Sequence, residues 1–233
     1  MMIEANVSEI KDKIATAALS AGRNAEEITL VAASKTQDAK TVARAIAAGI
    51  TVCGENRVQE LVEKSDFGAY AGAKLHFIGH LQRNKVKQVV GACDLIESVD
   101  SIPLLEAINT QAEKLGIVQD ILLEINIGGE DSKGGLSPEE LPNTMKTASE
   151  MNSVRVRGLM AIPPIATEKG ANRGYFARMY KLFIDNSAKK YDNVSMDFLS
   201  MGMSGDFEDA ISEGASIVRL GSAIFGERTY PRK

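Results

Sequence analysis

The chain has 233 residues, 44% of them hydrophobic, a formal net charge of −4 and a pI near 5.4. That length can bury one large core, which suits a single α/β barrel as well as two small domains; no stretch concentrates Lys or Arg without interleaved acids, so nucleic acid is excluded as an expected partner. Cys53 and Cys93 form no C-x-x-C pair and sit in short apolar runs, no segment reaches membrane-spanning length, and the N-terminus is not a secretory signal, so the expected state is buried thiols in a cytoplasmic protein with no membrane partner.

Ile3, Val7, Ile10, Ile14 and Ala18 recur at helical spacing and Ala21-Gly22 ends the segment, so the chain opens with an amphipathic helix. Eight short apolar runs follow, at residues 28–34, 51–54, 75–79, 95–99, 119–127, 154–161, 196–200 and 217–221. Helical patterns separate them at 41–48, 56–64, 84–90, 103–115, 138–151, 175–190 and 207–213. Units of about 29 residues match a compact (β/α)₈ TIM barrel. A doubly wound sheet would call for a glycine-rich phosphate turn after the first strand, and that place holds Ser34-Lys35-Thr36. The expected fold is α/β, one barrel domain over residues 1–233 with an extra N-terminal helix. The polar, glycine-rich loop 128–135, which includes Lys133, is expected over the barrel mouth, with Lys133 solvated.

Lys35 closes the first strand. Alternation puts Val31, Ala33 and Lys35 on one face and Leu30, Ala32 and Ser34 on the other, so the lysine can enter the mouth above a small Ala33. An amine shielded there can lose its proton and attack an aldehyde, whereas a loop lysine in solvent is the plainer alternative. After the seventh and eighth strands, the runs 199–206 and 217–226 both pass from strand to helix and offer Ser204, Gly205, Gly221 and Ser222. Loops in those two places hold phosphate in barrels of this class, although each serine alone reads as a helix cap. Arg219 shares a face with Gly221 and points either at a ligand or into a salt bridge with a barrel carboxylate such as Glu124. Asn56 is a ligand contact or a helix cap. His80, at a strand end, is placed in the pocket wall and His76 in the structure, and with only two histidines no metal site is expected. A lysine with a phosphate site suits a phosphosugar aldolase or a pyridoxal 5′-phosphate site, and Arg219, a suitable partner for a pyridine nitrogen, tilts the choice to the latter.

Residues 32–36 (AASKT), 54–60 (GENRVQE), 76–85 (HFIGHLQRNK), 199–206 and 218–226 closely resemble the pyridoxal phosphate homeostasis protein family, also called the proline synthase co-transcribed homologues. The resemblance implies a barrel like the N-terminal domain of alanine racemase, with Lys35 holding pyridoxal 5′-phosphate as a Schiff base. It places Arg219 by the pyridine nitrogen and Ser204, Gly205, Gly221 and Ser222 on the phosphate, and it carries over Asn56, His80 and Met201 as pocket residues. Where relatives often have a serine in the loop after the fifth strand, this chain has Gly134. The implied function is a non-catalytic carrier that buffers the cofactor and delivers it to apo-enzymes in vitamin B6 and amino-acid homeostasis. The alternative is an amino-acid racemase or decarboxylase. Racemases of related fold add a second domain, so a monomer is expected here.

Overall fold

The computed structural model describes residues 2–130, 134–166, 168–189 and 191–226. Eight parallel strands close into a barrel in chain order: β1 (Thr29–Ala33), β2 (Val52–Glu55), β3 (Lys74–Phe77), β4 (Leu95–Val99), β5 (Gln119–Ile125), β6 (Val154–Ala161), β7 (Val194–Ser200) and β8 (Ile217–Leu220). Closure comes from β1 pairing with β8, with Val31 opposite Arg219 and Ala32 opposite Leu220. The expected barrel is therefore observed.

Nine α-helices are found among the described residues. They are α1 (Met2–Ser20), α2 (Ala39–Ala47), α3 (Val58–Asp66), α4 (Val86–Val89), α5 (Ile102–Leu115), α6 (Leu141–Ser149), α7 (Arg173–Ser187), α8 (Phe207–Ser212) and α9 (Ser222–Phe225). α1 is the expected opening helix. It buries Ile3, Val7, Ile10, Ile14 and Ala18 and packs against α8 and α9, each large apolar side chain contributing ~1.5–3 kcal/mol by leaving water. α2 starts where the Asp38 carboxylate accepts the Thr41 N–H at 2.7 Å, a side-chain cap.

Strand alternation divides the core in two. Val31, Ala33, Val52, Leu95, Leu122, Met160 and Ile217 fill the barrel interior. Their neighbours Ala32, Cys53, Ile96, Leu123, Leu159 and Val218 face outward into the layer under the helices. Cys53 and Cys93 are buried and unpaired, and burial pushes both thiols up to about 12.

Some boundaries differ from expectation. β5 ends at Ile125 and β7 begins at Val194. α3 begins at Val58 with Arg57 as its cap residue, so Asn56 lies in the preceding loop and does not cap the helix. Of the glycine-rich loop, residues 131–133, Lys133 among them, lie outside the described residues, as does Lys190.

Candidate functional site

A cavity of about 400 Å³ sits at the C-terminal end of the strands, within the ~300–1,000 Å³ usual for small-molecule sites. β1 stops at Ala33, so Lys35 does not close the strand but reaches the cavity from the turn just beyond it, with Ala33 also in the wall. The face assignment made from alternation holds along this strand: Val31 and Ala33 pack inside the barrel and Ala32 outside. Ser34 also faces outward, and its hydroxyl donates to the Glu55 carboxylate at 2.6 Å.

Across the cavity, Ser204 and Gly205 from the loop before α8 meet Gly221 and Ser222 from the turn before α9. The Ser204 hydroxyl accepts the backbone N–H groups of Gly221 and Ala223, both at 3.3 Å, so one loop is stitched to the other. Neither serine caps its own helix. The N-cap of α8 is Asp206, whose carboxylate accepts the Met203 N–H at 2.7 Å and the Asn172 amide at 2.7 Å, and that of α9 is Gly221.

Arg219 forms part of the cavity floor yet is almost fully buried. Its guanidinium donates to the Ser200 hydroxyl and, at 2.9 Å, to the Ala161 carbonyl. Ser200 donates in turn to Glu97 Oε2, and Glu97 Oε1 meets His76 Nδ1 at 2.7 Å. Both residues are buried inside the barrel. Glu97 lies 3.8 Å from Arg219 and so takes the counter-ion place that the sequence reading gave to Glu124. Burial pushes the Glu97 carboxyl up, but the His76 hydrogen bond, His76 and Arg219 together bring it below the ordinary carboxylate value. Burial lowers the Arg219 pKa, with Glu97 and Glu124 acting against the shift. Glu124 is raised by burial, with Arg219 opposing.

Asn56 lines the cavity, and its Oδ1 is buried with no hydrogen-bond partner among the described residues. Gly79 explains how the Asn56 loop comes so close: a Cβ there would fall on the Asn56 carbonyl and Cα, so only glycine fits.

Seven of the expected residues thus share one cavity: Lys35, Asn56, Ser204, Gly205, Arg219, Gly221 and Ser222. Two do not line it. β3 ends at Phe77, so alternation stops before His80, whose exposed ring turns to Asp100 Oδ2 at 3.0 Å. Met201 follows the outward parity of Leu199 and is buried under the helices. Gly202, at φ 92°, then turns the chain so that Met203 meets the cavity instead. Gln37, Ile78 and Ile162 also line it without having been singled out. Ser200 and Glu97 were missed as well, although parity alone puts Ser200 on the inward face of the strand beside Arg219.

The alanine racemase N-terminal domain family matches residues 4–229. A pyridoxal phosphate homeostasis protein of Aquifex aeolicus is 43% identical over 224 residues, covering 96% of this chain and 97% of that one. A crystal structure of a protein of unknown function from Bifidobacterium adolescentis superposes with a TM-score of 0.89 at 37% identity, covering 96% of this chain and 94% of its own. PipY of Synechococcus elongatus, solved with pyridoxal phosphate bound, superposes with a TM-score of 0.79 at 31% identity, covering 91% of this chain and 100% of its own. Among the described residues no helix is long and apolar enough to cross a membrane. Near-complete coverage at these identities, on a barrel with the expected strand order, means that the chain belongs to the pyridoxal phosphate homeostasis protein family, within the alanine racemase N-terminal domain family.

Proposed function

We propose that this chain, as a single domain over residues 1–233, holds pyridoxal 5′-phosphate as a Schiff base on Lys35 and buffers and delivers it to apo-enzymes. In this reading it is a monomeric cytoplasmic carrier without catalytic turnover. The observation that carries the reading is the convergence of Lys35, Arg219 and the paired loops at Ser204-Gly205 and Gly221-Ser222 on one cavity. The residues fit the cofactor's three chemical handles: an amine for the aldehyde, a charged donor for the ring nitrogen, and hydroxyls beside backbone N–H groups for the phosphate. Asn56 Oδ1, unpartnered among the described residues, supplies a further buried polar atom on the same wall. The cofactor-bound PipY relative supports the same assignment.

The absence of turnover rests on the cavity wall. Apart from Lys35, no Asp, Glu, His, Cys or Tyr lines it among the described residues, so none of these offers a second acid or base to a bound amino acid. Arg219 is held on Ser200 and Ala161, and a guanidinium does not hand its proton to a pyridine nitrogen, which leaves the ring a weak electron sink. When bound, the cofactor supplies a reversible covalent link to the lysine.

Adding pyridoxal phosphate to the protein is expected to produce the visible absorbance of a lysine-bound aldehyde, and Lys35→Ala is expected to abolish it; an unchanged spectrum in the variant would sink the Schiff-base assignment. Delivery is tested by following reactivation of an apo-enzyme with a trap for free cofactor present. Reactivation that the trap stops completely would rule out direct hand-over. Exchange of the Cα proton of an added amino acid in deuterated water, with turnover, would overturn the non-catalytic reading.

A further inference from the structure

Ser34, Lys35, Thr36 and Gln37 form a tight turn closed by the Gln37 N–H donating to the Ser34 carbonyl at 3.0 Å. Its third residue, Thr36, has φ 68° and is the only non-glycine residue with positive φ among the described residues. That position of a turn favours glycine or asparagine, and a β-branched threonine there is strained. Such strain persists only where the surroundings over-determine it, and it gathers at functional sites.

The surroundings here are two side chains of α3. Glu60 Oε2 accepts the Thr36 N–H at 2.7 Å, and the buried Lys64 ammonium donates to the Ser34 carbonyl at 2.8 Å. Lys64 also bonds Glu60 at 3.3 Å and Glu55 at 2.8 Å, so both grips belong to one ionic cluster. Glu55 is fully buried and accepts the Tyr70 hydroxyl at 3.0 Å besides Ser34 and Lys64. The residues before and after Lys35 are thus each tied to the helix behind the barrel wall, while Lys35 itself faces the cavity.

We infer that Glu60 and Lys64 are positioning residues for Lys35, holding the strained Ser34-to-Gln37 turn that presents its amine to the aldehyde, a role that rests on Lys35 being the cofactor lysine. Neither touches the cavity. They act through the Thr36 amide and the Ser34 carbonyl.

The strain makes the role separable from simple stability. Without Glu60, the turn can relax toward negative φ at Thr36 and carry Lys35 with it; in T36G, positive φ costs nothing and the grip is no longer needed. The experiment titrates pyridoxal phosphate into the wild-type protein and into E60A, E60Q, T36G, T36G/E60A and K35A, reading the absorbance of lysine-bound cofactor, with thermal melts of each protein without cofactor. E60A is expected to weaken the apparent association about tenfold, the scale of such backbone strain. E60Q keeps an oxygen for the Thr36 N–H and is expected to restore most of the loss, and T36G/E60A is expected to bind within about threefold of T36G. Wild-type binding by E60A would overturn the inference, as would a loss from E60A that is the same with and without T36G. A variant that melts early yet follows this rescue pattern upholds it. K35A separates the two claims: if K35A keeps the absorbance, the Schiff-base reading itself falls, whereas its loss in K35A beside wild-type binding by E60A removes only the positioning role.

Discussion

Two buried ionic clusters flank the site, one inside the barrel and one behind its wall, and they hold their charges differently. Inside, Glu97 uses both oxygens, one toward His76 and one toward Ser200, and the chain of bonds ends on the Arg219 guanidinium. Behind the wall, Glu55 gathers Ser34, Lys64 and Tyr70 on Oε1, and its buried Oε2 has no hydrogen-bond partner among the described residues. That cluster ends on the backbone around Lys35. The burial and the Glu55 charge also push the Tyr70 phenol well up, so it stays a donor. The difference teaches how one site fixes two basic residues: the arginine is bonded at its guanidinium, and the backbone on either side of the lysine is bonded to the helix behind the wall.

The largest effect is expected from breaking the outer cluster. Lys64→Met leaves Glu55 as an uncompensated buried charge and removes a bond to Ser34, a change of ~3–5 kcal/mol in unfolding free energy by urea titration. Adding Glu55→Leu should recover part of that loss, because it removes the unpaired charge but takes the carboxylate acceptor from the Ser34 and Tyr70 hydroxyls. If the single variant unfolds like the wild type, the cluster carries little stability and the contrast with the inner network weakens.

A smaller loss is expected inside the barrel. Ser200→Ala removes the hydroxyl between Arg219 and Glu97, leaving a carboxylate oxygen and a guanidinium N–H each short of a partner, at ~1–3 kcal/mol. The 3.8 Å already separating the two charges allows a direct ion pair to take over, which holds the cost toward the low end. A loss as large as that of Lys64→Met would show that the arginine depends on its bridging hydroxyl as heavily as Glu55 depends on its lysine.

Most of this was readable from residue order and parity. The eight apolar runs, the inward face of Val31 and Ala33, and the convergence of the last two loops follow from alternation on parallel strands, whereas Lys35 reaches the cavity from the turn beyond the end of β1. The exceptions are places where alternation stops or where distant strands must meet. His80 lies beyond the end of β3, and Gly202 exchanges Met203 for Met201 at the cavity. Glu97 joins Arg219 only because β4 and β8 face each other across a closed barrel, a contact that no local pattern encodes. Likewise Thr36 carries no glycine signal for its positive φ, since the strain is sustained by Glu60 from a later helix.

The smallest expected effect has the opposite sign and separates the networked carboxylate from its neighbour. Glu97 is held below its ordinary value, so its contribution to stability is present above the unfolded-state pKa and is lost as pH falls through the folded one. Glu124 is raised, chiefly by burial and further by Asp100, with Arg219 and His80 only partly offsetting. A raised carboxyl contributes stability below its unfolded pKa and loses it as pH rises through the folded value. Its raised value thus makes Glu124 a burden at neutral pH, and Glu124→Gln should raise the melting temperature there while changing little in acid. Melts at both pH values check this; an equal shift at the two would mean that the substitution acts through packing, and a lowered neutral melting temperature would mean that Arg219 draws on Glu124 as a counter-ion alongside Glu97.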